Sequence, residues 1–65
     1  MRLRINGKPR EVAATMLSAL LEELGYQCGH IATAVNGEHV PFRKRDNFFL
    51  ENDDRIEILS PMEGG

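Results

Sequence analysis

The chain has 65 residues, a formal net charge of −2 and 42% hydrophobic residues. A chain this short builds one small domain that buries only about 60% of the surface its unfolded form exposes, which excludes a large self-contained active site. Interspersed acids and bases exclude a general attraction to nucleic acid, and no apolar run approaches the roughly 18 residues of a membrane span.

Met1, Leu3 and Ile5 alternate with Arg2 and Arg4. That period of two marks a strand with one buried face, and it is too short to be the apolar core of a signal peptide. Asn6-Gly7 suits the positive φ values of a tight hairpin turn. A short return strand over residues 9–13 follows, and Pro9 restricts it to a sheet edge or a strand start. Arg2, Lys8 and Arg10 read as the polar side of these strands. Thr15 is placed to cap a helix. Leu17, Leu20, Leu21 and Leu24 then share one helical face, and Gly25 ends the helix as a left-handed cap. Glu22 and Glu23 near its C-terminal end face an unfavourable dipole.

After a connection over residues 26–30, Ile31, Thr33 and Val35 alternate with alanines as a third strand, and Asn36-Gly37 makes a second hairpin turn. Val40-Pro41-Phe42 is a short extended piece that Pro41 keeps out of a sheet centre. Residues 43–47, with the basic run Arg43-Lys44-Arg45, read as a solvated polar loop. Phe48, Phe49 and Leu50 are expected to plug one end of the core. Residues 51–54 form a turn, and Arg55 to Leu59 alternate as the last strand before Pro61 ends any ladder. The order is strand, strand, helix, strand, short strand, strand. One leucine-faced helix with a mixed sheet gives a two-layer α+β domain over residues 1–60. Its order resembles a ubiquitin-like β-grasp of four to five strands, followed by a flexible tail over residues 61–65.

Cys28 is the only cysteine, so no internal disulfide and no Cys-x-x-Cys pair exists; the expected location is cytoplasmic and the expected thiol inert. His30 and His39 have no acid or cysteine patterned around them, and no metal site is expected. Gly25 and Gly29 lack the spacing of a phosphate loop. Gly64-Gly65 is the remaining chemical feature. Residues without a Cβ pass through a narrow slot in a partner, and a terminal glycine carboxylate is unshielded. A carboxylate is a poor electrophile and needs activation before anything displaces its oxygen.

Residues 15–25, Thr-Met-Leu-Ser-Ala-Leu-Leu-Glu-Glu-Leu-Gly, together with Ala32-Thr33-Ala34-Val35-Asn36-Gly37-Glu38, Val40-Pro41, Asp54-Arg55-Ile56-Glu57-Ile58 and the terminal Gly64-Gly65, resemble the ThiS family of sulfur carriers in thiamine biosynthesis, end to end. Three features depart from that family's pattern. Thr33 stands where an apolar residue is usual, Asp53 replaces a glycine, and the loop after Pro41 differs. The resemblance implies a carrier without enzymatic activity of its own. Its Gly65 would be adenylated by a ThiF-type enzyme with ATP bound on that partner, not on the carrier. A sulfur donor such as a cysteine desulfurase would convert the adenylate to a thiocarboxylate, and a ThiG-type thiazole synthase would accept the sulfur. Gly64, Glu63, Met62 and Pro61 would be the partner-binding arm. No nucleic acid or membrane partner is implied. Two other roles share the same tail logic: a carrier for molybdopterin synthesis and a ubiquitin-like protein modifier. A plain interaction module with incidental glycines is the remaining alternative.

Overall fold

The computed structural model describes residues 1–26 and 31–60. Strands β1 (Arg2–Ile5) and β2 (Lys8–Glu11) form an antiparallel hairpin around Asn6-Gly7, whose φ values of 52° and 85° are the positive pair that such a two-residue turn requires. Helix α1 spans Leu17–Leu24. A second hairpin joins β3 (Ala32–Val35) to β4 (Glu38–Val40) around Asn36-Gly37. A 3₁₀-helix covers Phe42–Asn47, and β5 (Arg55–Leu59) closes the fold.

The sheet order is β2-β1-β5-β3-β4, so the last strand in sequence is the central one in space. It runs parallel to β1, with Ile5 opposite Ile56, and antiparallel to β3, with Ile58 opposite Thr33. The helix connects the two hairpins and covers one face of the sheet. This is a ubiquitin-like β-grasp. Pro9 lies in edge strand β2, where its missing N–H is tolerated. Leu3, Ile5, Val35, Ile56 and Ile58 from the sheet meet Leu17, Leu20 and Leu21 from the helix in the core. Burying each such side chain contributes about 1.5–3 kcal/mol before the entropic cost of ordering it.

The helix ends as its glycine predicts. Gly25 sits at φ 88°, its N–H reaches the Glu22 carbonyl, and the Tyr26 N–H reaches the Leu21 carbonyl, a Schellman closure. Its start differs from expectation. Thr15 is not the cap; Met16 occupies that position and makes no side-chain cap bond. Backbone pairing with residues 48–50 replaces the cap. The Leu17 N–H donates to the Phe48 carbonyl at 2.9 Å, and the Leu50 N–H donates to the Thr15 carbonyl at 2.8 Å. Glu23 has a use that the dipole argument missed: its carboxylate accepts from the Ala13 and Ala14 N–H groups, the shorter bond being 2.9 Å. It ties the chain entering the helix to the helix's last turn.

Two further expectations are corrected. Residues 43–47 are not a loop but part of the 3₁₀-helix, and its Arg45 is buried, with 3% of its surface exposed. The Phe48-Phe49-Leu50 patch is split: Leu50 is buried, Phe48 packs partly against the core, and Phe49 is exposed because its backbone pairs with Met16 and turns its ring outward.

Candidate functional site

Pro61, Met62, Glu63, Gly64 and Gly65 lie outside the described residues, as do Cys28 and His30. The structure describes the ground from which the tail departs. That ground is β5, which carries ladder bonds on both sides and ends at Leu59, with Ser60 half-buried beside it. Ile56 and Ile58 face the helix and are buried, while Arg55, Glu57 and Leu59 face away from it and are exposed. Alternation along the strand therefore sets both the anchor and the exposed face.

Beyond Ile5 strand β1 turns away into its hairpin, which would leave the end of β5 without a neighbour on that side. The Asn6 side chain fills this gap. Its Oδ1 accepts the Ile58 N–H at 2.8 Å, and its Nδ2 donates to the Ile58 carbonyl at 3.2 Å. The amide acts as one more residue of β1 and holds β5 in place almost to the base of the tail. Asn36 does the same at the other end of β5: its Oδ1 accepts the Arg55 N–H at 2.9 Å, and its Nδ2 donates to Asp54 Oδ1 at 3.0 Å. Both residues also occupy the left-handed region, which asparagine tolerates better than most residues. The Asn-Gly turns were legible from sequence; the second task of each asparagine was not.

A buried polar group lies under the opposite end of β3. Thr33, an inward position on that strand, is 1% exposed. Its hydroxyl donates to the Val40 carbonyl at 2.8 Å and accepts from Arg45 Nε at 3.0 Å. Arg45 also donates from Nη2 to the Ile31 carbonyl at 2.8 Å and stacks its guanidinium 5.5 Å from the Phe42 ring centre. A buried charge without partners costs several kcal/mol; here hydrogen bonds and the ring face offset that cost. The 3₁₀-helix is thereby fastened to β3. Sequence reasoning missed Arg45; the signal that could have found it is Thr33, since a hydroxyl on an otherwise apolar inward face takes a buried partner.

Two open depressions lie on the surface. One of about 500 Å³, lined by Asn6, Gly7, Glu57 and Leu59, includes the last residue of β5; another of about 580 Å³ is lined by Ile5, Asn6, Lys8, Pro9, Arg10 and Tyr26. Both are open surface features, not enclosed reaction chambers. Among the described residues no group of three or more His, Cys, Asp or Glu side chains is gathered to hold a metal ion. His39 lies exposed on edge strand β4. No helix among the described residues is long and apolar enough to cross a membrane. The described chain supplies a rigid support and an exposed sheet face.

The ThiS family model matches residues 3–65. The crystal structure of a thiamine biosynthesis protein (ThiS) from Geobacter metallireducens is similar over 100% of both chains, with 30% identity and a TM-score of 0.84. A solution structure of a thiamine biosynthesis protein from the same organism is also 30% identical, with a TM-score of 0.81, over 100% of this chain and 88% of the other. No curated protein sequence matches this chain.

Proposed function

Because this chain belongs to the ThiS family and is a sulfur carrier of thiamine biosynthesis, we propose that its working atom is the carboxyl carbon of Gly65, made reactive by adenylation and then converted to a thiocarboxylate. In this reading the Gly65 carboxylate attacks the α-phosphorus of ATP held by a ThiF-type enzyme and pyrophosphate leaves. A sulfur donor, such as a persulfide formed by a cysteine desulfurase, then displaces AMP, and reductive cleavage of the sulfur–sulfur bond by a thiol releases the thiocarboxylate. Its sulfur is more polarisable and more nucleophilic than carboxylate oxygen, which equips it to attack an electrophilic acceptor on a ThiG-type synthase. ATP is bound by the partner and the carrier holds no cofactor.

The observation that carries this proposal is the family match extending through residue 65 onto Gly64-Gly65. Residues 1–60 act as the body and 61–65 as the arm, with Pro61, Met62, Glu63 and Gly64 contacting partners. A fixed base lowers the entropic cost of placing a slim arm in a partner's site, and the Asn6 bonds to Ile58 help to fix it. The reading excludes chemistry on the body itself.

Deleting Gly65 tests it. The truncated protein is expected to keep its melting temperature and far-ultraviolet spectrum while accepting no sulfur. Continued thiocarboxylate formation on the truncated chain would show that the reacting carbon was misassigned. An isopeptide link to a lysine, in place of a thiocarboxylate, would instead mark a protein modifier.

A further inference from the structure

We propose that the sheet face turned away from the helix, at Arg4 and Arg55, docks a protein surface that presents a pair of carboxylates. Arg4 and Arg55 are direct neighbours across the parallel β1–β5 pair and both are exposed. Like charges placed side by side on adjacent strands destabilise a sheet. Neither arginine has an ion pair among the described residues. Glu11 is occupied with Arg2 and the amino terminus of Met1, and the Asp54 carboxylate is occupied with Asn36 and the Glu51 N–H. The sheet thus carries a repulsion that a partner's carboxylates would remove, and guanidinium forks bind carboxylates through two parallel hydrogen bonds.

The rest of the face fits a protein partner. Beyond Arg55 on β5 stands the exposed Leu59, with Ala32 beside it and Ala34 beside Glu57. This is a low apolar shelf next to the cationic pair. From Arg55 to Leu59 the strand advances about 13 Å at roughly 3.3 Å per residue, the scale of one contact patch. A partner held at the arginines therefore lies over the point where the tail begins. A polyanion such as nucleic acid or an anionic membrane fits less well, because the chain as a whole is negative and the cationic patch is narrow. Among the described residues, a second copy of this chain offers the pair only Glu57 on the same face, since Glu11 is engaged. The proposal rests on the carrier reading in one respect: the partner is taken to be an enzyme that acts on the tail.

The test has two arms, one independent of tail chemistry. In the first, the full chain labelled with nitrogen-15 is titrated with tetraglutamate. The Nε–H signals of Arg4 and Arg55 are expected to shift and saturate, more than those of Arg10 and Arg43, and the shifts to shrink with added salt. No shift, an even shift over all exposed arginines, or stronger shifts with anionic vesicles or an oligonucleotide than with tetraglutamate would overturn the proposal. In the second arm, the ThiF-type enzyme converts wild-type, Arg55→Glu and Arg43→Glu carriers. Arg55→Glu is expected to raise KM about tenfold or more with kcat retained, and Arg43→Glu, at an exposed arginine of the 3₁₀-helix, to change it little. Equal KM values would refute a docking role for the pair while leaving the carrier reading intact. If wild type itself forms no thiocarboxylate, the carrier reading fails, and the titration alone decides the docking site.

Discussion

Asn6→Asp exchanges an amide nitrogen for an oxygen and leaves the shape of the side chain nearly unchanged. In the wild type Nδ2 donates to the Ile58 carbonyl at 3.2 Å and Oδ1 accepts the Ile58 N–H at 2.8 Å. An ionised carboxylate keeps the second bond but sets an acceptor against an acceptor in place of the first. Losing one hydrogen bond and leaving a part-buried carbonyl unpaired costs about 1–3 kcal/mol, and partial solvent access at this site brings the expectation to about 1.4 kcal/mol. The protonated carboxyl group restores a donor, so the new group's folded pKa rises. A raised folded pKa means that the interaction is fully present below the unfolded-state pKa of an ordinary aspartate and is lost as pH climbs through the folded value. Urea unfolding of variant and wild type at matched pH values measures the difference and cancels the carboxylates common to both. The variant should match wild type near pH 3.5 and fall about 1.4 kcal/mol short at pH 7. A deficit that is absent at neutral pH, or constant from pH 3.5 to 7, would refute the strand-extending role assigned to Asn6.

Other perturbations test other joints of the fold. Leu20→Ala should destabilise by about 2–5 kcal/mol in chemical unfolding, because its side chain is fully buried between helix and sheet. Thr33→Val should cost about 1–3 kcal/mol by removing a hydroxyl that serves Arg45 and Val40, and adding Arg45→Met should recover part of that loss; a simple sum of the two single losses would mean the residues are not coupled. Asp53 stands at φ 72° without being glycine. Asp53→Gly should therefore exceed Asp53→Ala in stability by about 1 kcal/mol, and equal melting temperatures would show that the turn holds no strain.

Residues whose side chains do one task were readable in the sequence. Alternation along Arg55 to Leu59 placed the last strand with its observed bounds, and the leucine spacing from Leu17 to Leu24 placed the helix, because both periods follow directly from backbone geometry. Residues that bridge distant elements were not readable. Asn6 and Ile58 are far apart in sequence, and the turn propensity of Asn-Gly says nothing of what the amide touches. Glu23 was read against its own helix dipole, while its partners, Ala13 and Ala14, belong to the approach to that helix. Thr15 lost the capping role because residues 48–50 arrived to pair with the same stretch of backbone. Arg45 sat in a basic run that composition alone assigns to solvent; the hydroxyl of Thr33 draws it inward. The terminal glycines were chemically legible, and the family match extends through them.

The most direct measurement is the mass of the carboxyl-terminal peptide after incubation of the intact carrier with ATP, its activating enzyme and a sulfur source. The account predicts a gain equal to the exchange of one oxygen for one sulfur, located on Gly65 and dependent on ATP. An unchanged Gly65 under conditions where the enzyme is active, or sulfur found on any other residue, would contradict it.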